Sequence, residues 1–439
     1  MGSRIHFPGH LHSCTPLDLV HSNIRYLRMI EKLNRFLNPT RQRYAWIIGA
    51  VIWFAWLVNL IGGSGILDLT GNNKGTDFMA YYTAGKIILL GKSPDLYSLD
   101  LVNSIQQSLY KGSSPGFYPY LYPPHYALAM VPFALLPYTI AYLVWVVLGL
   151  VSFWFSIKWL GIQKPLHTLL FSLTWFPVFA VVSFGQNSFF SLAIFCCTFY
   201  LWNRNKNLLA GLTFNLLLYK PQFLVFVAFL WLLDWKKSWK ALAGLSLGVF
   251  LQIALNFLLL PQSSFSYIEY AQKSIANFMF IKEFPIWNSF SVQAFWLGLI
   301  PKHPDVARIL YLICAVIGTI YFLKIWKKHK EDRSIVFSIS IIWLVWSIPY
   351  IFVYDWTLLL IPAFLFWNKD GSRKDVWKVL IAVFWVTGLL SSQLSYLHLM
   401  VLPFAFQIAV PVLLFGSYII YQVMSQKENN ITDDSGKIE

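Results

Sequence analysis

Polar groups that few apolar sequences tolerate recur along this chain of 439 residues. Asp77 stands in Thr76-Asp77-Phe78, ahead of Tyr81-Tyr82, Ala84-Gly85, Gly91 and Tyr97. Tyr122-Pro123-Pro124-His125 follows, with Pro132, Pro137 and Trp145 behind it. Further on come Gly185-Gln186-Asn187, Ala210-Gly211, Lys220-Pro221-Gln222, Trp287-Asn288, then Lys302, His303 and Arg308, and finally Tyr354-Asp355. A lone carboxylate within reach of a hydroxyl is a general base. A lysine, a histidine and amide side chains are the cation and donors that stabilise charge developing on a leaving group. Other chemistries lack their residues: there is no P-loop, no GxGxxG and no paired carboxylates in a DxD arrangement. Cys14, Cys196, Cys197 and Cys314 show no CxxC or Cys/His spacing, so no metal site and no cofactor is expected.

The elements that must position these groups follow from composition. Hydrophobic residues make up 57% of the chain and charged residues 12%, against about 25% charged in an ordinary soluble domain. Mean hydropathy is +0.57. Long continuous apolar runs recur from end to end, which in a bilayer selects helices over an alternating β-barrel pattern. The fold class expected is an all-α polytopic membrane protein. The net charge of +15 does not point to nucleic acid, because Lys and Arg cluster in short loops between apolar runs, as the positive-inside bias requires. Membrane lipids are the expected partners.

Residues 1–43 read as a basic cytoplasmic tail, with an amphipathic segment at Ile24 to Leu37, and residues 1–40 lack the apolar core of a signal peptide. Residues 44–424 read as the membrane domain and 425–439 as a polar cytoplasmic tail. About twelve spans are expected, beginning with Tyr44 to Ile61 and Thr139 to Trp159. Leu166 to Phe184 reads as one continuous span, and the last two read as Val376 to Leu390 and Leu399 to Val423. Residues 66–123 form a large first extracytoplasmic loop with juxtamembrane helices at Phe78 to Leu90 and Asp100 to Tyr110, and Ala127 to Leu136 is too short to cross.

Alternating the spans with basic clusters inside puts Asp77, His125, Gln186, Asn187, Lys220, Gln222, Tyr354 and Asp355 at one extracytoplasmic boundary. Ionisable residues there are functional candidates. Each also has a structural reading. Asp77 suits the N-cap of the helix that starts at Phe78. Lys220 suits a side chain reaching for the headgroups. Gln186 and Asn187 suit a hairpin cap, Tyr354-Asp355 a helix cap, and His125 an interfacial site.

The order and spacing of these motifs resemble glycosyltransferase family 87. Asp77 with Tyr81-Tyr82, Ala84-Gly85, Gly91 and Tyr97, then Tyr122-Pro123-Pro124, Pro132, Pro137 and Trp145, is similar to that family's first external loop. Gly185-Gln186-Asn187, Ala210-Gly211 and Lys220-Pro221-Gln222 follow in the family's order. The resemblance implies a GT-C type fold with an extracytoplasmic active site in the cell membrane. It implies a polyprenyl-phosphate sugar donor, with mannose the expected hexose, and a lipid or glycan acceptor. It implies Asp77 as the catalytic acid-base residue. Inverting single displacement needs one such carboxylate, whereas retention through a glycosyl-enzyme needs a second. Lys220, His125, Gln186, Asn187 and Gln222 are then expected around the donor phosphate and sugar, with Tyr81, Tyr82, Tyr354 and Asp355 beside them. A lipid or glycan transporter is the alternative; it predicts internal repeats and midplane ionisable groups.

Overall fold

The computed structural model describes residues 32–35, 37–110, 115–275, 284–369 and 374–425. Most of the N-terminal tail, including Cys14 and the greater part of the amphipathic segment, lies outside the described residues, as do residues 426–439.

The described chain is helical throughout, and its only β-pairing is the two isolated bridges Leu67 to Asn73 and Ser289 to Phe352. In chain order the α-helices are α1 (Pro39–Gly62), α2 (Phe78–Leu89), α3 (Leu99–Ser108), α4 (Pro124–Ala134), α5 (Tyr138–Trp159) and α6 (Pro165–Leu173). There follow α7 (Phe176–Phe184), α8 (Ser188–Asn203), α9 (Asn207–Phe214), α10 (Pro221–Leu233), α11 (Trp235–Leu259) and α12 (Pro261–Tyr270). The last are α13 (Val292–Leu299), α14 (Pro304–His329), α15 (Arg333–Ser347), α16 (Leu360–Lys369), α17 (Lys374–Val401) and α18 (Ala409–Ser425).

Five of these helices, α1, α5, α11, α14 and α17, are long and apolar enough to cross a membrane. Their outward faces are greasy: Val51, Phe54 and Val58 on α1 and Phe250 and Leu258 on α11 are exposed. That arrangement suits a multi-pass protein in hydrocarbon. The helices α8, α10, α15 and α18 are apolar but shorter, as is the segment Asn207–Tyr219 that α9 begins.

Two expectations about the spans are corrected. Residues 165–184 do not form one straight span: α6 and α7 meet at 75°. Pro177 in the first turn of α7 cannot continue a hydrogen-bond ladder from α6. The break is covered by α17, where Trp385 Nε1 donates to Thr174 Oγ1 at 3.0 Å, and Trp175 Nε1 donates to the Phe384 carbonyl at 3.1 Å. The second correction lies near the C-terminus. The serines at 391, 392 and 395 do not end a span, because α17 runs on to Val401. These hydroxyls are buried; Ser391 donates to Gln407 Oε1 at 2.5 Å and Ser392 to Asn288 Oδ1 at 2.9 Å. A polar seam between packed elements had looked like a loop.

Within the loop of residues 66–123, α2 is buried over most of its length. Gly91, at φ +67°, takes the left-handed turn that ends α2. A Cβ on Gly85 would lie 2.7 Å from the Met130 carbonyl oxygen, so a side chain there would push α2 off α4. Ala210-Gly211 serves similarly where α9 lies against α11: any Cβ on Gly211 would run into the Ala241 backbone.

Candidate functional site

The site starts from one glycine. Gly185 ends α7 at φ +69°, with its N–H on Val182 and the Gln186 N–H on the Val181 carbonyl. This left-handed cap satisfies two end carbonyls of α7 and turns the chain sharply into α8. Helix α5 supplies further donors: Tyr142 OH reaches the Val182 carbonyl at 2.8 Å and Trp145 Nε1 the Gly185 carbonyl at 3.0 Å. The Asp77 N–H donates to the Phe184 carbonyl at 2.9 Å, which docks the start of α2 on the same turn. Phe78 locks that contact, its ring packed among Tyr138, Tyr142 and Trp145.

Asp77 precedes α2 but does not cap it: its backbone is already helical and its carboxylate makes no capping bond. Instead Asp77 Oδ2 accepts from Gln186 Nε2 at 2.7 Å. Gln186 Oε1 in turn accepts from Tyr81 OH at 2.7 Å and from the Asn187 N–H at 3.2 Å. Tyr81 and Tyr122 share a hydrogen bond at 3.0 Å. The Gln186 amide is thus fixed in one orientation, with its Nε2 toward Asp77 Oδ2 and its Oε1 toward the Tyr81 and Asn187 donors. Asp77 keeps partial solvent access while protein surrounds it. Burial raises its carboxyl to about 6, against the opposing effects of the Gln186 hydrogen bond and the positive charge of Lys220. A carboxylate poised near neutrality is a better proton acceptor than an ordinary aspartate.

Lys220 does not reach outward. It ends a short 3-10 turn, Asn215–Tyr219, and Pro221 starts α10 immediately after. Its side chain is buried, and Nζ donates to Asp355 Oδ1 at 2.7 Å. Ser188 Oγ donates to the same oxygen at 2.8 Å. Asp355 comes from the 3-10 segment Val353–Leu359. Tyr354 lies beside the pair, its ring 5.9 Å from Lys220 Nζ and stacked on Phe352. Both members of the pair act electrostatically on Asp77, so the three charged groups share one neighbourhood with a net negative charge.

Asn187 leaves the N-terminus of α8 uncapped. Its Nδ2 donates to Tyr126 OH at 3.1 Å, and its Oδ1 is buried without a partner. Tyr126 stacks on Tyr219 at 4.9 Å, and Tyr219 OH bonds Ser191. Tyr122, Tyr126, Tyr219 and Ser188 belong to this cluster and were not among the expected site residues. The signal was present in the density of tyrosines from Tyr118 to Tyr126 and in the serine that follows Asn187 directly.

Other expected residues lie elsewhere. Tyr82 OH donates to the Leu136 carbonyl and ties α2 to the end of α4. His125 pairs through Nδ1 with Asn256 Nδ2 of α11 at 3.0 Å, and its Nε2 is buried without a partner. Burial lowers its pKa to about 4, so at neutral pH it is an uncharged donor or acceptor. Gln222 is half-buried in the first turn of α10. Asn288 bonds α17, and Lys302, His303 and Arg308 are exposed around the start of α14, with Arg308 3.6 Å from Asp305.

A family model described as glycosyltransferase family 87 matches residues 120–353, just over half of the chain. The chain belongs to glycosyltransferase family 87. No curated protein and no solved structure matches it. The matched segment contains Tyr122, His125, Gln186, Asn187, Lys220 and Gln222; Asp77 with Tyr81 and Tyr82 precede it, and Tyr354 and Asp355 follow it. With apolar helices suited to a bilayer, the protein is a membrane glycosyltransferase, acting on a sugar donor and an acceptor.

Proposed function

We propose that this transferase moves a hexose, mannose in our reading, from a polyprenyl-phosphate sugar to a hydroxyl of an extracytoplasmic lipid or glycan. The observation that carries the reading is the state of Asp77: a carboxylate hydrogen-bonded by Gln186, raised to about 6, and spared from capping its own helix. In the proposed step the acceptor hydroxyl attacks the anomeric carbon and gives its proton to Asp77. The bond from that carbon to the phosphate oxygen breaks, and both electrons leave with the lipid phosphate. One base suffices for this inversion. Lys220 is the buried cation of the neighbourhood, held by Asp355, whose same oxygen also accepts from Ser188. It stabilises the departing phosphate once the donor's charge competes with Asp355 for it. Asn187, with its unpartnered Oδ1, accepts from a sugar hydroxyl. The shorter apolar helices cross the membrane together with the five long ones, and the lipid tail of the donor lies between spans.

The test is transfer in proteoliposomes from a labelled polyprenyl-phosphate mannose. Wild-type turnover with loss in Asp77→Asn supports the assignment. Full turnover in Asp77→Asn removes Asp77 as base. Movement of labelled lipid across the bilayer without any new glycosidic bond would replace the transferase step by transport.

A further inference from the structure

At the end of α14 and α18 lies a feature the transfer step does not use. A cavity of about 330 Å³ is lined by Lys324, Ile325, Lys327 and Lys328 of α14 and by Tyr421, Met424 and Ser425 of α18. The two helix ends are tied together around it. Lys328 Nζ donates to the Ser425 carbonyl, His329 Nε2 lies 2.9 Å from the Met424 carbonyl, and Tyr321 stacks on Tyr421 at 4.8 Å.

The cavity continues a surface of α14 that faces outward. Ile309, Ile313, Val316 and Ile320 are exposed and recur at helical spacing along one stripe. Lys324 and Lys327 fall on the same stripe, four and seven residues beyond Ile320. At 1.5 Å per residue, Ile309 to Ile320 spans about 16 Å, roughly one leaflet of a ~30 Å hydrocarbon core. An acyl chain laid along the isoleucines therefore brings its headgroup to the lysines. Cationic side chains at a headgroup-sized cavity, at the end of a lipid-facing apolar track, complement a phosphate with hydrocarbon attached.

We propose that this cavity binds the phosphate headgroup of one anionic bilayer phospholipid, whose acyl chains lie on the Ile309 to Ile320 stripe. Lys324 and Lys327 pair with the phosphate, Lys328 fixes the cavity by its bond to Ser425, and Tyr421 offers its hydroxyl end to the glycerol.

The full-length protein is purified and exposed to phosphatidylglycerol or phosphatidylcholine, and retained lipid is counted by native mass spectrometry. Wild type is expected to retain one phosphatidylglycerol in preference to phosphatidylcholine. Lys324→Gln with Lys327→Gln is expected to weaken that retention by roughly tenfold or more, since each basic side chain at an anionic surface contributes several-fold. Met424→Trp, which fills the cavity without changing its charge, is expected to lower retention as well. This second variant tests the site even if the charge variant fails to fold. A control that replaces Lys236, Lys240 and Lys330 by Gln is expected to bind as wild type. Equal loss in this control, or no headgroup preference, would overturn the site in favour of diffuse basic charge. Displacement of the lipid by inorganic phosphate alone would reassign the cavity to free phosphate. Retention that appears only after removal of residues 426–439 would assign it to the chain's own acidic tail.

Discussion

Asp77 sits where its charged form is disfavoured, and this has consequences for both rate and stability. Its folded pKa, about 6, is raised above the ordinary carboxyl value of 3.8. The protonated side chain is therefore the better-tolerated form in the folded protein. That advantage is complete below about 4 and is lost as pH rises through about 6. Asp77→Asn keeps an acceptor for Gln186 and removes the buried charge. It is expected to lower transfer by a hundredfold or more, about the size of a general-base contribution, yet to raise thermal stability at pH 8. The gain, at most on the order of 3 kcal/mol, should shrink toward zero below pH 4 when unfolding is followed in detergent. Wild-type turnover should climb with pH through about 6 and then level off, so a profile already flat from pH 5 would separate Asp77 from the proton transfer. Lys220 and Asp355 behave differently. Lys220→Met strands a buried carboxylate and is expected to cost about 3–5 kcal/mol, whereas Lys220→Met combined with Asp355→Leu should recover much of that stability without recovering transfer. Equilibrium unfolding of the single and double variants measures the difference. The residue types of this site were legible in the chain as soon as the exposed or loop-borne polar groups were sorted from the apolar ones. The Lys220 to Asp355 pairing was not, since 135 residues separate the partners and no local rule couples them.

At the level of elements, the turn joining α7 to α8 holds the site together. A Cβ on Gly185 would meet Phe78 Cβ at 2.7 Å, in a backbone conformation that L side chains rarely adopt. Gly185→Ala is expected to cost more than about 1 kcal/mol. It should also pry Phe78 and Asp77 from the turn, so that activity falls by more than the stability loss explains. Comparing turnover with the folded fraction at one temperature separates the two effects. Helices α2, α3 and α5 were readable within a residue or two, because proline, glycine and serine punctuate their ends. The break between α6 and α7 was hidden in a continuous apolar run, where hydropathy registers grease and not direction. The buried serines of α17 misled for the opposite reason: polarity inside a packed seam looks like polarity in a loop.

The whole molecule presents apolar helix faces outward and gathers its charged groups at helix ends. If basic loops stay inside, position 95 and position 236 lie on opposite sides of the membrane. In a cysteine-free background, a single cysteine replacing Asp95 should react with an impermeant maleimide added outside intact cells. One replacing Lys236 should react only after permeabilisation. Labelling of both from the same side would dissolve the topological argument for gathering the polar motifs at one boundary.

Sequence alone determined that this is a helical membrane protein and which polar motifs could act. It did so because the cost of exposing backbone and charge to hydrocarbon acts residue by residue and leaves its mark on composition and spacing. Only the tertiary structure decided that Gln186 orients Asp77, that Asp355 takes both Lys220 and Ser188 as donors, and that Tyr82 and His125 turn to other segments. Hydrogen bonds between distant segments depend on helix packing and turn direction, which local periodicity does not encode.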